Sequence, residues 1–284
     1  MSPKTIIITG CSSGLGYHTA IYLAQQDYQV YASVRRNSDL NLFTHLPPQH
    51  QPRPFLLDLR WSQSRISKII SSLPTPPEVL INNAGYGFFG TLDTISVDHL
   101  QQQLEVNLYG TYKVIKAVLP SMRSRRAGLI INISSILGLF SLPGYGPYSI
   151  SKFSIEALTQ TLRHEETPFG IKTVSLNPGS FSTNFWKNSQ LPRLNSKRTL
   201  SPHQQFNSNL KASFANPRRQ HTRSHPLQVA KVINQLISTQ NYPANVPIGL
   251  DAQLLYYLHR LLPRPLFFWI VKTIAHAPRP QQNA

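Results

Sequence analysis

Two groups of residues in this chain have types and spacings that could support chemistry. Tyr148 and Lys152 stand four positions apart, and a glycine-rich run, Thr9 to Gly16, follows the apolar stretch Thr5 to Ile8. Residues i and i+4 share one face of a helix, so the Tyr148 hydroxyl can lie beside the Lys152 ammonium. A free tyrosine has a pKa of about 10, and a neighbouring cation lowers that pKa by favouring the phenolate. The pair could therefore exchange a proton with an alcohol or carbonyl oxygen, although this spacing also occurs by accident.

The glycine-rich run has the composition of a phosphate-binding turn. Gly10, Gly14 and Gly16 would allow a tight turn and a close approach of a pyrophosphate to the start of a helix. Their spacing is GxxxGxG, which differs from the GxGxxG of the common dinucleotide fingerprint. Taken alone, the run could also be a structural turn after a buried strand. Together with the tyrosine and lysine it indicates a dinucleotide-dependent reaction.

With five further landmarks, the sequence resembles the short-chain dehydrogenase/reductase family from about residue 4 to residue 185. In chain order the landmarks are TGCSSGLG, Asp58 in LLDLR, NNAG at Asn82 to Gly85, Asn107 in EVNLYG, Ser135 in INISSILG, YSISK, and Pro178-Gly179 leading to Thr183. The phrases TGCSSGLG, VYASVRR and NAGYGFFG are most similar to the hydroxysteroid and retinol dehydrogenase branch. The resemblance therefore implies a hydrophobic alcohol or ketone as substrate.

The resemblance implies a catalytic role for each of four side chains. Tyr148 would be the general acid in reduction and the general base in oxidation. Ser135 would hold the substrate oxygen, because it, and not the adjacent Ser134, stands the usual thirteen positions before Tyr148. Lys152 would bind the nicotinamide ribose and, with an oxidised cofactor, lower the tyrosine pKa. Asn107 would position a water that links Lys152 to solvent, or else make only an internal helix hydrogen bond.

The end of the second predicted strand indicates which nicotinamide cofactor is used. An NAD-preferring site usually has an acidic residue about twenty positions after the glycine turn, where this chain has Val34 followed by Arg35 and Arg36. A guanidinium can bind a ribose 2′-phosphate, which a carboxylate repels. Arg35, with the Ser12 hydroxyl, therefore predicts NADP(H) over NAD(H); the alternative is a pair of solvated surface arginines.

The resemblance implies further cofactor contacts from the glycine turn and the strand ends, with Asp58 accepting from the adenine amino group. The expected cofactor-binding residues are Gly10, Ser12, Ser13, Gly14, Leu15, Gly16, Arg35, Asp58, Asn83, Ala84, Gly85, Tyr148, Lys152, Pro178, Gly179 and Thr183. We predict no metal site.

Alternating strands and helices must position these residues. Strands are predicted near residues 5–9, 29–34, 54–57, 78–82, 128–133 and 171–176. This alternation predicts the α/β class, specifically a Rossmann-type doubly wound parallel sheet with helices on both faces. Ligands bind such sheets at the carboxyl ends of the strands, where the landmarks fall. We expect a single domain over residues 1–250, with a substrate lid at about 184–225, and a C-terminal amphipathic helical extension over 251–284.

The residues after Thr183 differ in character from the rest. No acidic residue occurs from Asn184 to His225, proline and asparagine recur, and helical periodicity is poor. Family members carry their mobile substrate lid here. A pocket for an apolar substrate could use six large side chains near the site loops, although several could equally be ordinary core. These residues are Phe88, Phe89, Leu142, Phe181, Phe185 and Trp186.

Basic residues greatly outnumber acidic ones, 28 against 11, and only Asp251 is acidic after Glu166. The excess would attract anionic lipid or nucleic acid, but no recognised nucleic-acid module accompanies it, so no specific nucleic-acid partner is predicted. The segment Leu254 to Ile274 mixes apolar and basic residues and is interrupted by Pro263 and Pro265, so it is unsuited to spanning a bilayer. It predicts two short amphipathic helices that pack on their own domain, on a membrane surface or on a second subunit.

The remaining expectations concern setting and assembly. The single cysteine, Cys11, excludes a disulfide framework and is expected to be a small filler in the glycine turn. The opening residues enter the first strand without a charged leader, which predicts a cytoplasmic protein with peripheral membrane contact as an option. The family resemblance implies a homodimer or homotetramer. A cofactor-binding regulatory protein with little turnover is the alternative function, and the complete set of four catalytic residues favours an enzyme.

Overall fold

The computed structural model describes residues 3–185, 189–190, 204–215, 223–239 and 242–276. Seven strands form one sheet in the order β3-β2-β1-β4-β5-β6-β7, and every neighbouring pair is parallel. The strands are β1 Thr5–Ile8, β2 Gln29–Val34, β3 Arg53–Leu56, β4 Val79–Asn82, β5 Gly128–Ile133, β6 Ile171–Pro178 and β7 Asn245–Ile248. The predicted doubly wound parallel sheet is confirmed, and β7 is an addition to the six predicted strands.

Helices cover both faces of the sheet. The helices are α1 Gly14–Ala24, α2 Gln63–Ser71, α3 Val97–Leu104, α4 Thr111–Arg125, α5 Gly146–Glu166, α6 Gln204–Ala215, α7 Leu227–Ser238, α8 Leu250–Leu261 and α9 Arg264–His276. Successive side chains of a strand point to opposite faces. Ile6 and Ile8 of β1 therefore pack with α1 and α7, whereas Ile7 packs with α2, α4 and α5. Burial on both faces explains the apolar runs of the central strands β1, β4 and β5.

Helix α6 lies within the predicted lid region, where no helix was expected. Its Asn207 side chain accepts a hydrogen bond from the Thr91 amide at 3.1 Å and donates to the Thr91 hydroxyl at 3.0 Å. Leu210 of the same helix packs into an apolar cluster with Phe140. These contacts hold α6 against the body of the protein.

The C-terminal extension contains two short helices, as predicted. Asp251 at the start of α8 accepts a hydrogen bond from the Ser180 amide at 2.8 Å, which fixes α8 to the loop after β6. Phe267 of α9 packs edge-on against Phe140, with 5.2 Å between the ring centres. The expected boundary at residue 250 stays a prediction. Within the described parts of the chain, no helix has both the length and the apolar composition to cross a membrane.

Candidate active site

A cavity of about 1230 Å³ lies at the carboxyl ends of the strands. Strand β1 is flanked by β2 on one side and β4 on the other, and such a reversal of strand order opens the crevice where ligands bind. Most of the predicted site residues line this cavity: Gly10, Ser12, Ser13, Gly14, Leu15, Arg35, Asp58, Asn83, Ala84, Gly85, Ser135, Tyr148, Lys152, Pro178, Gly179 and Thr183. Two predicted residues, Gly16 and Asn107, do not line it.

The glycine turn connects β1 to α1, and its glycines are sterically required. Gly10 and Gly14 have φ angles of +71° and +62°, which glycine adopts readily. A Cβ on Gly16 would lie 2.4 Å from both the Asn83 Nδ2 atom and the Gly10 carbonyl oxygen. Gly16 therefore allows close packing behind the turn and does not face a ligand.

The start of α1 suits an anion such as the pyrophosphate of a dinucleotide. Ser13 occupies the N-cap position without a side-chain capping bond, and the first turn of the helix carries no acidic residue. The first amides of a helix lack partners within the helix and attract negative charge. The cradle left by Gly10 and Gly14 and these amides together fit a nicotinamide dinucleotide.

The side chain of Asn83 holds the turn in place. Its Nδ2 atom donates to the carbonyl oxygens of Thr9 at 2.9 Å and Gly10 at 3.0 Å. In return, the Thr9 hydroxyl accepts from the amides of Asn83 and Ala84, both at 3.0 Å. Because its side chain is engaged with the turn, Asn83 presents its backbone to the cavity.

Three of the four predicted catalytic side chains meet on one buried wall. Ser135 follows β5, while Tyr148 and Lys152 lie on the first two turns of α5. Their exposed fractions are 7%, 8% and 6%, respectively. The Lys152 Nζ atom lies 5.7 Å from the centre of the Tyr148 ring and donates to the Ile133 carbonyl at 2.7 Å. The strand end and the helix thus place a phenol, a hydroxyl and an amine at one wall of the cavity.

The structure distinguishes Ser135 from its neighbour Ser134. The Ser135 side chain lies close enough to the Tyr148 hydroxyl to lower the pKa of that tyrosine, and its own hydroxyl accepts from the Leu137 amide at 3.2 Å. The Ser134 hydroxyl instead donates to the backbone carbonyl of Lys152 at 3.5 Å. Ser135 is therefore the serine within reach of the tyrosine, as the interval of thirteen residues predicts.

Burial dominates the ionisation of the tyrosine and the lysine. Loss of water contact raises the pKa of Tyr148 to about 12, although the neighbouring Ser135 side chain acts in the opposite direction. Burial lowers the pKa of Lys152 to about 8, while the negative charge of Glu156 opposes that shift. Burial disfavours the phenolate, and the lowering of the tyrosine pKa expected from Lys152 together with an oxidised cofactor stays a prediction.

The fourth predicted residue, Asn107, lies behind the cavity in a π-helical turn, Glu105–Gly110, that joins α3 to α4. Its Nδ2 atom donates to the Tyr86 carbonyl and to the Ser151 hydroxyl, both at 3.0 Å. Its Oδ1 atom accepts from the Tyr86 amide at 3.1 Å. The side chain therefore ties α5 to the loop after β4, and the expected water relay stays a prediction.

Three arginines border the part of the cavity that follows β2 and β3. Arg60 binds Asp58 through its Nε atom at 3.0 Å and an Nη atom at 2.6 Å, and this contact lowers the pKa of Asp58. Arg36 pairs with Asp39 at 3.2 Å. Arg35 makes no hydrogen bond or ion pair with any residue that the structure describes.

The sequence analysis did not identify Arg60 as a site residue. Its contact with Asp58 affects the expected role of that carboxylate in binding adenine. Both carboxylate oxygens of Asp58 accept hydrogen bonds from the arginine, so an adenine amino group would share an acceptor that is already engaged. The only sequence signal was a basic residue two positions after the aspartate.

A buried carboxylate, Glu156, also escaped the sequence analysis. One of its oxygens accepts from the Ser175 hydroxyl and from the Asn177 side chain, both at 2.6 Å, and the other accepts from Asn245 at 2.7 Å. Asn177 also donates to the Ser135 carbonyl at 3.2 Å. Glu156 therefore connects α5 to β6, to β7 and, through Asn177, to the backbone of Ser135. Its position one turn after Lys152, on the buried face of α5, was the available signal.

The predicted apolar pocket is confirmed in part. Leu142, Phe181 and Phe185 line the cavity, and Leu255 of α8 joins them. Phe89 is fully buried and packs against the Tyr148 ring, with 5.5 Å between the ring centres.

Phe88 and Phe89, two of the six predicted pocket residues, do not line the cavity. Phe88 is a core residue that stacks on His99 at 4.2 Å. Trp186 lies outside the described residues. Within the described part of the chain, no cluster of histidine, cysteine and acidic side chains could hold a metal ion.

Comparisons with known proteins agree with this geometry. The family described as short chain dehydrogenase matches residues 4–193. A 3-ketodihydrosphingosine reductase of Bacteroides thetaiotaomicron is 34% identical over 259 residues, covering 90% of this chain and 91% of that protein.

Solved structures show the same fold. A short-chain dehydrogenase from Streptomyces avermitilis is 25% identical, with a TM-score of 0.77 and coverage of 95% of this chain and 94% of that one. A short chain dehydrogenase from Burkholderia cenocepacia J2315, solved in complex with NADP, has a TM-score of 0.73 at 21% identity and covers 95% and 98%. The chain therefore belongs to the short-chain dehydrogenase/reductase family, oxidoreductases that act on CH–OH groups with a nicotinamide cofactor.

Proposed function

We propose that this protein is an NADP(H)-dependent oxidoreductase that interconverts a hydrophobic ketone or aldehyde and the corresponding alcohol. One observation carries the proposal: Ser135, Tyr148 and Lys152 share one buried wall of a cavity that also has apolar walls. A carbonyl oxygen held by the two hydroxyls would place the rest of its molecule against those apolar side chains.

Tyr148 is the proposed proton donor in reduction. Its pKa of about 12 keeps the phenol protonated at neutral pH, as a general acid requires. Ser135 would give the same oxygen a second hydrogen bond, and Lys152 would bind the ribose. When bound, the cofactor supplies the hydride. Asn107 would contribute through a water that connects Lys152 to solvent.

The arrangement of the arginines supports NADP(H). Arg36 and Arg60 form ion pairs with carboxylates, whereas Arg35 borders the same cavity without a described ion pair and acts on Asp58 only through its charge. A guanidinium there can bind a 2′-phosphate through charge-assisted hydrogen bonds. No carboxylate stands at the end of β2, where an NAD-preferring site usually has one.

The apolar walls and one relative support a ketone as the substrate. Leu142, Phe185 and Leu255 come from three separate segments and border the same space. The Bacteroides relative is named for reducing a ketone, 3-ketodihydrosphingosine. We therefore favour the direction of reduction. The hydroxysteroid dehydrogenase-like branch and the cytoplasmic setting stay predictions.

Self-association through α4 and α5 belongs to the same proposal. Tyr109 and Tyr112, at and just after the π-helical turn, and Ile150 and Phe153 of α5 are exposed. A second copy could cover these apolar side chains, giving a homodimer or homotetramer. Sedimentation equilibrium tests this, since a monomer at micromolar concentration would contradict it.

The test of the proposed reaction is NADPH consumption with a series of ketones and aldehydes of increasing chain length. We expect turnover that rises with apolar length and a fall of about 10² to 10⁴-fold in kcat for Tyr148→Phe, the range for losing a general acid. NADPH binding, followed by fluorescence, should be retained in the variant. Binding of NADPH without turnover of any carbonyl, or full activity in Tyr148→Phe, would contradict the proposal.

A further inference from the structure

Helix α8 carries a stripe of large apolar side chains that faces solvent. Leu250, Leu254, Tyr257 and Leu261 have exposed fractions of 84%, 62%, 56% and 76%. Their spacing of four, three and four residues places them on one face of the helix. Apolar residues scattered singly over a surface are ordinary, but a contiguous stripe indicates an interaction surface.

Helix α8 also has a second apolar face, which packs on the body of the protein. Ala252 is fully buried, and Leu255, Leu258 and Leu262 pack against the same cluster. A surface helix of a globular protein needs only one apolar face to pack on its core. The solvent-facing stripe of α8 therefore does not serve the packing of this helix on its own domain.

Helix α9, which packs against α8, also exposes large apolar side chains. Phe267 and Val271 are buried, whereas Leu266, Phe268 and Trp269 are 45%, 63% and 62% exposed. Tryptophan and phenylalanine at such positions suit the boundary between water and lipid, where an amphipathic helix lies in the plane of a membrane. We call the exposed apolar residues of α8 and α9 the C-terminal apolar surface.

The charge around this surface is positive. Arg260, Arg264 and Lys272 are exposed on the same two helices. Asp251 is the only acidic residue of the pair, and its carboxylate accepts a hydrogen bond from the Ser180 amide. The chain as a whole has a net charge of +17. Basic side chains beside exposed apolar ones are the combination that binds anionic lipid.

We propose that the C-terminal apolar surface docks onto an anionic lipid bilayer, with α8 and α9 lying in the plane of the membrane. A second copy of the chain fits this surface less well, because the basic side chains of α8 and α9 would then meet those of the other copy with Asp251 as the sole acidic residue of the two helices. Since Leu255 on the inner face of α8 lines the cavity, the docked helix would separate the cavity from the bilayer. The proposal does not depend on the reaction proposed above.

Vesicle co-sedimentation of the full chain tests the proposal. We expect binding to vesicles of phosphatidylcholine and phosphatidylglycerol, weaker binding to phosphatidylcholine alone, and loss of binding as salt increases. Leu254→Gln combined with Leu261→Gln should reduce the apparent affinity at least tenfold, because two leucines no longer enter the apolar layer. Leu92→Gln is the matched control, since this leucine is equally exposed but lies outside α8 and α9. Its affinity should be unchanged.

Tryptophan fluorescence gives a second measurement. Emission should shift to shorter wavelength on adding anionic vesicles, and Trp269→Phe should remove most of the shift, because Trp269 is on the docking surface. NADPH binding checks that each variant is folded. Absence of binding to anionic vesicles, or equal binding by the double variant, would overturn the proposal. So would a double variant that dissociates an oligomer and leaves vesicle binding intact, since a second copy would then occupy the surface.

Discussion

The cavity has two halves that are built in different ways. In the half assigned to the cofactor, backbone and short polar side chains from adjacent strand ends hold one another, as when Asn83 binds the carbonyls of Thr9 and Gly10. In the apolar half, side chains arrive from distant segments, with Phe185 after β6 and Leu255 on α8. The first half is stabilised by many directional contacts, and the second mainly by apolar packing.

This difference explains why the reaction class is encoded more sharply than the substrate. A hydrogen-bonded turn requires particular residue types at fixed spacing, because donors, acceptors and positive φ angles must coincide. An apolar wall requires only side chains of suitable volume, which many combinations of residues can supply. Substitutions in the two halves should therefore have different kinetic signatures.

After the loss expected for Tyr148→Phe, the largest effect is expected from the paired serines of the polar half. Ser135→Ala should lower kcat by about 10² to 10³-fold, as found when one hydrogen bond to a developing oxyanion is removed. Ser134→Ala should leave kcat nearly unchanged, because the Ser134 hydroxyl contacts only the Lys152 carbonyl. Measuring kcat of both variants with the ketone that the unaltered protein reduces fastest tests this prediction. Equal losses in both variants would mean that the two serines act structurally.

Glu156→Leu should cause a large loss of stability. The change leaves the buried donors of Ser175, Asn177 and Asn245 without their acceptor, and each such group costs about 1–3 kcal/mol. The free energy of unfolding in urea should fall by at least about 3 kcal/mol. Glu165→Leu, on an exposed part of the same helix, should change it by no more than about 0.5 kcal/mol. Comparable values for both would show that the buried network contributes little.

Arg35→Ala tests the proposed contact with the 2′-phosphate. Loss of charged hydrogen bonds of about 1.5–3 kcal/mol should raise KM for NADPH about 10 to 100-fold, with little change for NADH. Arg36→Ala, which removes an exposed ion pair with Asp39, should affect either cofactor much less. If Arg36→Ala has the larger effect on NADPH, the phosphate contact belongs to that arginine.

The pH dependence of reduction should follow the lysine and not the tyrosine. Tyr148, with a pKa of about 12, and Lys152, with a pKa of about 8, are both protonated at neutral pH. As pH rises, the lysine loses its charge first, so kcat/KM for reduction should be flat below pH 8 and fall up to tenfold per unit above it. Lys152→Arg should move this limb to higher pH. A limb that stays near pH 8 in that variant would assign it to another group.

The smallest effects are expected in the apolar half. Leu255→Ala should lower kcat/KM for the most apolar ketone about tenfold, the effect of losing one or two methylene contacts in a pocket. KM for NADPH should not change, because Leu255 is part of the apolar wall and not of the polar half. Measuring kcat/KM across chain lengths shows whether the loss grows with the length of the ketone. A uniform loss would place Leu255 outside the substrate path.

Sequence patterns predicted most of the fold, because the pattern of apolar residues along the chain largely determines where strands and helices form. Apolar runs and the landmarks that follow them identified six strands. Strands β3 and β7 both have four residues and a proline, but β3 is followed by the Asp58 landmark and β7 by none, so β7 was missed. Helix α6 was missed because polar residues dominate its sequence, QQFNSNLKASFA. Its contacts with Thr91 and the apolar cluster depend on the tertiary structure.

Within the site, residue positions were predictable and their environments were not. The spacing of Ser135 and Tyr148 predicted which serine lies beside the tyrosine, but the direction of the tyrosine pKa shift depends on burial, which spacing does not encode. The Asp58–Arg60 pair likewise depends on side-chain conformation. The sequence therefore predicts which groups meet more reliably than how each is charged.

The reactivity of the single cysteine, Cys11, can be used to measure local opening of the glycine turn. Cys11 is buried in the glycine turn, its thiol donates to the Ile8 carbonyl at 3.3 Å, and burial raises its pKa far above the usual range. Since the thiolate is the reactive form, a thiol reagent can label Cys11 only when the turn opens to water. The labelling rate then measures how often that turn opens. A dinucleotide bound at the turn should slow the labelling of Cys11. Cofactor binding could therefore be measured before any substrate is known.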